Sequence, residues 1–326
     1  MKAVHFSKPG GPEVLKVIDI ETPTINSDEI LIKVKAAGIN RPDVVQREGN
    51  YPPPESHSKI LGLEVSGIVK EVGKNVKNFS VGDKVAALVN GGGYAEYCKA
   101  NKDVCFTIPE NISFNEAACI PECFFTAWSN LIKRGNLKEK QKVLIHGGTS
   151  GVGLASIQIA KLFGSYILTT VGNQEKVSFC KKLGVNKIIN YKEHDFFDVI
   201  KESEIGGINL ILDFIGGSYI SKNINLLSDD GKLVNIGFQN GSKAELNLMK
   251  VMLKRLTLTG STLRIRSNSF KKDILEDLRT HVFPLLENGE IKIYIDSVFN
   301  LEDVVKAHQR LEEGKHIGKI VLNFKD

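Results

Sequence analysis

Residues 142–153, Lys-Val-Leu-Ile-His-Gly-Gly-Thr-Ser-Gly-Val-Gly, decide the fold. The apolar run 143–145 is typical of a strand that is buried on both faces. Gly147-Gly148 ends this run with residues that can adopt backbone angles closed to other residues. A helix is then expected to begin near Ser150 and to stop at Gly164. The stretch therefore predicts a strand, a glycine turn and a helix in direct succession.

The glycine turn is suited to hold an anion. Gly148, Gly151 and Gly153 let the backbone approach a ligand closely at the helix N-terminus, where unpaired N–H groups and the helix dipole favour a pyrophosphate. Taken alone, the same cluster is also compatible with a tight turn that binds nothing.

The residues that follow favour a dinucleotide-binding fold. Apolar strands alternate with helical stretches and end at glycines or polar residues, which predicts an α/β domain with a doubly wound parallel sheet. The expected strands are 166–171, 187–190, 209–215 and 232–236, and the expected helices are 175–183, 195–201 and 221–227. Ligands of such sheets bind at the carboxyl ends of the strands.

The end of the second strand indicates which dinucleotide is bound. An NAD site usually carries Asp or Glu here to accept hydrogen bonds from the adenine ribose, but this chain has Gly172-Asn173. Lys176, one turn further on, is placed to pair with a 2′-phosphate, so the sequence predicts NADPH. The alternative for Lys176 is an ordinary exposed helix lysine.

Composition and charge are those of an ordinary two-domain protein. The 326 residues include 43 basic and 38 acidic side chains, and the net charge of +5 is spread without long runs. This gives only weak support for nucleic-acid binding. The five cysteines form no CxxC pair, so a reducing compartment is expected. Neither a signal peptide nor a bilayer-spanning stretch is evident, and we predict a cytoplasmic enzyme without a membrane partner.

The two ends of the chain differ from its middle in the pattern of apolar and turn-forming residues. Short strand-like pieces separated by Gly, Pro, Asn and Asp predict a largely antiparallel, barrel-like β domain. These pieces are 15–20, 29–38, 63–72, 84–88 and 93–99, and the C-terminal part adds helices 271–286 and 301–313 and a strand 319–324. We expect residues 1–121 and 267–326 to form this domain, with a Rossmann domain, 122–266, inserted. A helix within 117–132 should bridge the two.

Several motifs occur in an order that carries a family resemblance. They are Lys8-Pro9-Gly10-Gly11-Pro12-Glu13, Ala37-Gly38-Ile39-Asn40, Gly62-Leu63-Glu64-Val65-Ser66-Gly67, Gly91-Gly92-Gly93-Tyr94-Ala95-Glu96-Tyr97, Ser150-Gly151-Val152-Gly153, Asn190-Tyr191-Lys192, Asp213-Phe214-Ile215-Gly216-Gly217 and Ile317-Gly318-Lys319-Ile320-Val321-Leu322. The whole chain resembles the quinone oxidoreductase branch of the medium-chain dehydrogenase/reductase superfamily. The resemblance implies a GroES-like catalytic domain, a Rossmann domain and NADPH in the cleft between them.

The resemblance also implies which residues contact the cofactor. The turn Ser150, Gly151, Val152 and Gly153 would hold the pyrophosphate, and Lys176 and Tyr191 would reach the 2′-phosphate. Gly172 would lie against the adenosine beside Asn173, a position where relatives often carry serine. Toward the nicotinamide the implied residues are Gly237, Phe238, Thr262 and Leu263, and Phe214 and Gly216 are further implied cofactor-binding residues.

Residues that bind zinc in related enzymes are missing. Zinc-dependent members carry a cysteine and a Gly-His-Glu triplet, whereas the matching positions here are Asn40 or Arg41 and Gly62-Leu63-Glu64. Leucine cannot ligate zinc, so no metal is predicted. Without a Lewis acid the acceptor should already be electrophilic, as a quinone or a conjugated enal or enone is.

Two polar residues are the candidates for catalysis. Asn40 is expected to donate to the substrate oxygen or to orient the carboxamide, and Tyr51 to supply a proton or a hydrogen bond. The alternative for Tyr51, which precedes three prolines, is a loop anchor. Glu64 is expected to have a structural role, and His146 to be packed in the core.

Three functions remain open at this level. The first is an NADPH-dependent quinone reductase, the second an NADPH-dependent 2-alkenal or enoyl reductase, and the third a crystallin-like structural or RNA-binding role. No arginine-rich or aromatic-interleaved stretch favours RNA binding. The β-rich stretch 256–263 predicts an open sheet edge and hence a homodimer.

Overall fold

The computed structural model describes residues 1–55 and 57–325, and the chain divides into two compact units. Unit 1 comprises Met1–Phe125 and Arg264–Asp326, and unit 2 comprises Thr126–Leu263. These limits lie four residues after and three residues before the domain limits expected from the sequence. Asp326, the last residue of the expected first domain, lies outside the described residues. No helix within the described ranges is both long enough and apolar enough to cross a membrane.

Unit 1 is built on a seven-stranded, mainly antiparallel sheet, which confirms the predicted GroES-like β domain. The order is β14-β15-β3-β4-β5-β7, with β6 on β3, and β1 pairs separately with β2. The strands are β1 (Lys2–His5), β2 (Lys16–Asp19), β3 (Glu29–Ile39), β4 (Glu64–Val72), β5 (Lys84–Leu88), β6 (Tyr97–Asn101), β7 (Cys105–Thr107), β14 (Ile295–Asn300) and β15 (Lys319–Asn323). The helices are α1 (Arg41–Arg47), α2 (Phe114–Ala117), α3 (Pro121–Trp128), α9 (Asn268–His281), α10 (Phe283–Glu287) and α11 (Val304–Glu312).

Unit 2 contains a six-stranded sheet in the order β10-β9-β8-β11-β12-β13, and every pair is parallel. This confirms the predicted doubly wound sheet. The strands are β8 (Lys142–Ile145), β9 (Tyr166–Val171), β10 (Lys187–Asn190), β11 (Ile208–Asp213), β12 (Leu227–Asn235) and β13 (Thr257–Gly260). The helices are α4 (Gly151–Leu162), α5 (Gln174–Lys182), α6 (Phe196–Lys201), α7 (Tyr219–Leu226) and α8 (Leu248–Leu253), and Ser129–Arg134 is π-helical.

Each unit has its own apolar core. In unit 1, alternate residues of the central strand β3, including Ile30, Ile32 and Val34, are buried. In unit 2, Leu144, Leu168 and other aliphatic strand residues pack beneath the helices. Because both faces of a parallel sheet are covered, the central strands β8 and β11 are almost continuously apolar, and that made them recognisable in the sequence.

Three predicted elements differ most from the structure. The expected strand 232–236 begins five residues earlier, at Leu227, the last residue of the expected helix 221–227. The expected strand 93–99 begins only at Tyr97, because Gly91 and Gly92 adopt positive φ angles of 143° and 94° and turn the chain. The expected helix 271–286 is interrupted at Val282, and a second short helix starts there with Pro284 in its first turn. Proline has no N–H to continue a helix but is tolerated at a helix start.

Candidate active site

The glycine turn of unit 2 has the geometry expected of an anion-binding helix start. Ser150 caps α4, since its Oγ accepts from the Gly153 N–H at 3.0 Å and donates to the Gly147 carbonyl at 2.9 Å. Gly147 has a φ of 61°. A Cβ on Gly153 would lie 2.4 Å from the Gly147 oxygen, so only glycine fits. The turn therefore presents the helix N-terminus with no side chain from these glycines across it, as a pyrophosphate requires.

The other predicted cofactor residues of unit 2 follow the neighbouring strands of the same sheet. Because parallel strands end at one edge, residues distant in sequence are brought to that edge. The sites are Gly172, Asn173 and Lys176 after β9, Tyr191 after β10, Phe214 and Gly216 after β11, Gly237 and Phe238 after β12, and Thr262 and Leu263 after β13.

The end of β9 brings together the groups predicted to select the cofactor. The Tyr191 hydroxyl lies 2.7 Å from where a Cβ of residue 172 would be, so Gly172 leaves room for that ring. Asn173 caps α5, its Oδ1 accepting from the Lys176 N–H at 2.9 Å. Tyr191 is 46% exposed, whereas Lys176 is buried. The contact of Asn173, which the sequence left open, is thus with its own helix.

Asp213 organises the turn after β11. Its Oδ1 accepts from the Ile215 N–H at 2.6 Å, and its Oδ2 accepts from the Asn223 and Asn235 amides, each at 3.1 Å. This arrangement holds the next residue, Phe214, against the glycine turn, where its ring comes within 2.5 Å of a Cβ position on Gly147. The two predicted loops after β8 and β11 are therefore in contact.

His146 is buried in the core, as expected. Its Nδ1 lies 3.1 Å from Thr170 Oγ1 and its Nε2 lies 2.9 Å from Asn223 Oδ1. Burial lowers its pKa. Both ring nitrogens have protein partners, which fits a structural role.

In unit 1, Asn40 belongs to a buried polar cluster with Glu64 and Lys319. The Lys319 ammonium lies 2.6 Å from Asn40 Oδ1 and 2.7 Å from Glu64 Oε1. Asn40 Nδ2 donates to Glu64 Oε1 at 2.9 Å and to the Gly38 carbonyl at 3.3 Å. Both hydrogens of the amide thus have protein acceptors, and the expectation that Asn40 donates to substrate does not fit this arrangement.

The charge of Lys319 is held by its neighbours. Burial alone would lower its pKa, but the Glu64 carboxylate together with the Cys123 and Cys119 thiols outweighs burial and raises the pKa of Lys319 above the ordinary value. The second carboxylate oxygen of Glu64 accepts from the Glu122 N–H at 2.9 Å. Glu64 is fully buried and bonded at both oxygens, which agrees with the structural role expected for it.

Glu122 is a titratable group that sequence reasoning missed. Burial, followed by the charge of Glu64, raises the pKa of its carboxyl to about 8. Its charge in turn contributes to raising the pKa of Tyr51, for which burial is the larger cause. The sequence feature that could have identified Glu122 is its position as an acidic residue inside the largely apolar stretch 117–132.

Tyr51 lies beside a second missed residue, Arg264. The guanidinium carbon is 5.3 Å from the centroid of the Tyr51 ring, within range of a cation–π interaction. Burial lowers the pKa of Arg264. Arg264 directly follows Thr262 and Leu263, which were predicted to bind the cofactor. This position in the chain was the signal that could have identified Arg264.

The donor set at the zinc position does not suit a metal ion. Leu63 offers carbon only, and Glu64 is already bonded to an ammonium and two N–H groups. In the described part of the chain, no group of three or more His, Cys, Asp or Glu residues could hold a metal ion.

Comparison with known families matches both units. Residues 26–119 match the alcohol dehydrogenase GroES-like domain, and residues 151–279 match the zinc-binding dehydrogenase family. The human quinone oxidoreductase is 33% identical over 327 residues, covering 99% of this chain and 97% of that protein.

Solved structures agree with this assignment. Escherichia coli quinone oxidoreductase complexed with NADPH has a TM-score of 0.89 at 30% identity, covering 99% of this chain and 100% of that one. CurK enoyl reductase has a TM-score of 0.88 at 26% identity and covers 99% of both chains. The chain therefore belongs to the quinone oxidoreductase branch of the medium-chain dehydrogenase/reductase superfamily and is an oxidoreductase that uses a nicotinamide cofactor.

Proposed function

We propose that the protein is an NADPH-dependent, metal-independent reductase that transfers hydride to quinones. The observation that carries the choice of acceptor is the Lys319 ammonium bonded, at 2.7 Å, to Glu64, which matches the glutamate of the Gly-His-Glu triplet in zinc-dependent relatives. A metal ion would have to displace this ammonium, and the preceding residue, Leu63, could not serve as a ligand. Without a Lewis acid to polarise a simple ketone, the acceptor must itself be electrophilic.

The choice of NADPH is supported by the groups at the end of β9. Gly172 and Asn173 provide no carboxylate to repel a 2′-phosphate, and Lys176 and Tyr191 offer an ammonium and a phenol to bind it. Ser150 and the amides that begin α4 would hold the pyrophosphate. When bound, the reduced nicotinamide supplies the hydride. The NADPH bound to the similar E. coli enzyme agrees with this choice.

Tyr51 is the proposed proton donor of unit 1. Burial raises the pKa of its hydroxyl, so the group keeps its proton at neutral pH. Tyr51→Phe should lower turnover about tenfold to a hundredfold, the range for one positioned proton donor. An unchanged rate would return Tyr51 to the role of a loop anchor. Asn40, by contrast, is proposed to position its neighbours rather than to donate to the acceptor.

The test is a panel of ortho-quinones, para-quinones, 2-alkenals and enones, each assayed with NADPH and with NADH. We expect quinones to be reduced fastest, NADPH to be strongly preferred, and treatment with a chelator to leave the rate intact. Equal use of NADH would refute the cofactor choice. Activity lost on chelation and restored by zinc would refute the mechanism.

A second function, reduction of 2-alkenals or enoyl groups, is favoured by the likeness to CurK enoyl reductase. Faster turnover of 2-alkenals than of quinones would select it. Salt-dependent RNA binding without NADPH oxidation would instead select the non-enzymatic alternative. The cytoplasmic location and the homodimer remain predictions.

A further inference from the structure

The guanidinium of Arg264 is buried and only partly hydrogen-bonded. The residue is 5% exposed, and its Nε and Nη2 both donate to the Asn90 carbonyl, at 2.9 Å and 2.6 Å. Its Nη1 is buried and has no hydrogen-bond partner among residues 1–55 and 57–325. A buried charged donor without an acceptor raises the free energy of the fold. A ligand atom that accepts from Nη1 would lower this free energy.

The surrounding chain is built to hold Arg264 in this orientation. Gly91 has a φ of 143°, and a Cβ there would lie 2.5 Å from the Ser58 carbonyl and 3.4 Å from Arg264 Nη2. The glycine at this position thus brings the Asn90 carbonyl to the guanidinium. Lys271 fixes the same two residues, donating to Asn90 Oδ1 at 2.7 Å and to the Arg264 carbonyl at 3.1 Å. Gly91 of the motif 91–93 therefore has the structural role of positioning the Asn90 carbonyl.

The charges around Arg264 favour a negative ligand atom. Arg264 and Lys271 place two cations on Asn90, and burial lowers the pKa of both, outweighing the opposite effect of the nearby Asp43 and Glu122 carboxyls. The ring of Tyr51 lies 5.3 Å from the guanidinium carbon and provides an aromatic surface beside the guanidinium. An aromatic ring and a cationic N–H donor side by side fit a flat conjugated molecule with a charged oxygen.

We propose that Arg264 Nη1 donates to the acceptor oxygen on which negative charge collects during reduction, which makes Arg264 a catalytic residue. The inference rests on the proposed function. The hydride would come from the reduced nicotinamide, which would break a C–H bond and become oxidised. As the hydride and its electron pair form one new bond at the acceptor, a π pair moves onto a carbonyl oxygen and makes it an anion. One proton then gives the hydroquinone, or the enol of a saturated carbonyl. A preorganised guanidinium lowers the energy of that anion.

The experiment compares Arg264→Gln with Arg266→Gln. Arg266 lies two residues away and stacks on Phe270 at 3.9 Å, so its replacement removes the same charge from the same loop. Arg264→Gln should lower kcat for quinones about a hundredfold or more, the effect of one lost oxyanion donor, and leave the Kd of NADPH unchanged. Arg266→Gln should stay within about twofold of the native rate.

Binding is measured separately from turnover by equilibrium dialysis of 2-hydroxy-1,4-naphthoquinone, which is an anion at neutral pH. Its Kd should rise at least about tenfold in Arg264→Gln and stay unchanged in Arg266→Gln. If Arg264→Gln fails to fold, Arg264→Lys keeps the charge, and free guanidinium ion added to Arg264→Ala should restore part of the rate.

Native kcat and native dialysis Kd in Arg264→Gln, or in Arg264→Ala if Arg264→Gln does not fold, would overturn the inference. So would an equal loss of affinity for NADPH, because Arg264 would then belong to the cofactor site. If the native protein reduces no quinone or enone, the proposed function fails, but dialysis still decides whether Arg264 binds the oxyanion.

Discussion

At the scale of single residues, the pairing of Lys319 with Glu64 makes a testable statement about stability. Both side chains are buried, and their charged atoms lie 2.7 Å apart. Lys319→Met should lower the free energy of unfolding by about 3–5 kcal/mol, because it leaves a buried carboxylate without its cation. Urea titration followed by circular dichroism measures the change.

The matched control is the double variant Glu64→Gln and Lys319→Met. If the loss in the single variant comes from the uncompensated charge, neutralising Glu64 should restore much of it. If both variants are equally destabilised, the loss comes from packing around Asn40 and not from the charge.

A second prediction at this scale concerns Glu122 and pH. In the unfolded chain a glutamate titrates near 4.5, whereas burial raises the pKa of Glu122 in the fold to about 8. Between these values the native state binds the proton more tightly, so stability falls as pH rises from 4.5 to 8. At pH 9, Glu122→Gln should therefore be more stable than the native protein by at least about 1.4 kcal/mol, the value of one pKa unit.

At pH 4 the advantage of Glu122→Gln should vanish, because the carboxyl is then protonated in both states. Urea titrations at the two pH values measure the difference in stability between Glu122→Gln and the native protein. The control is Glu287→Gln, at an exposed position of the same unit, which shows the general effect of losing a glutamate. The same stability difference at both pH values would contradict the prediction.

Residue contacts show where prediction from sequence stops. Asn40 and Glu64 were recognised from local motifs, but the ammonium that bonds both comes from Lys319, 279 residues after Asn40. Nothing local to position 40 reports a partner on β15, which reaches Asn40 only because β15 pairs with β3. The motif around Asn40 therefore did not predict that both amide hydrogens of Asn40 have acceptors inside the protein.

At the scale of elements, helix α5 carries the prediction on cofactor choice. Lys176 lies in its first turn, where its backbone N–H donates to the Asn173 cap. Lys176→Ala should weaken NADPH binding by about 1.5–3 kcal/mol, the value of a charge-assisted contact, and change NADH binding little. Isothermal titration calorimetry with both cofactors measures this difference.

Lys181→Ala on the same helix is the matched control, since that lysine is exposed in the last turn. It should leave both affinities unchanged. Parallel losses for NADPH and NADH in Lys176→Ala would mean that Lys176 supports the fold of the site and not the 2′-phosphate.

Elements with a strong local pattern were predicted best. The strands 166–171 and 187–190 have the expected bounds, because both are apolar runs closed by glycine or polar residues. The strand expected at 93–99 was wrong in its start, because the glycine run adopts backbone angles that its neighbours alone do not dictate. The unpartnered donor of Arg264 could not be predicted from the sequence either. The orientation of the guanidinium depends on the Asn90 carbonyl, 174 residues away.

At the scale of the whole molecule, one edge of the sheet in unit 2 is open, and a helix near that edge in the sequence exposes apolar side chains. β13 is the last strand of the six and pairs only with β12 among the described strands. Near it in sequence, helix α8 exposes Leu248, Met249, Met252 and Leu253, each between 58% and 67%. An open edge beside exposed apolar residues is a typical interaction surface.

We therefore expect the protein to form a homodimer through β13 and α8, with the same surface used by both copies. Light scattering after size-exclusion chromatography at micromolar concentration should give twice the chain mass of 35.9 kDa. The double variant Leu248→Glu and Met252→Glu should shift the protein to monomers, because burying two unpaired carboxylates in the interface is strongly unfavourable. Val81→Glu, at an apolar residue of unit 1 that is 64% exposed, should leave the dimer intact. A native monomer, or a dimer that persists in the α8 double variant, would contradict this use of the edge.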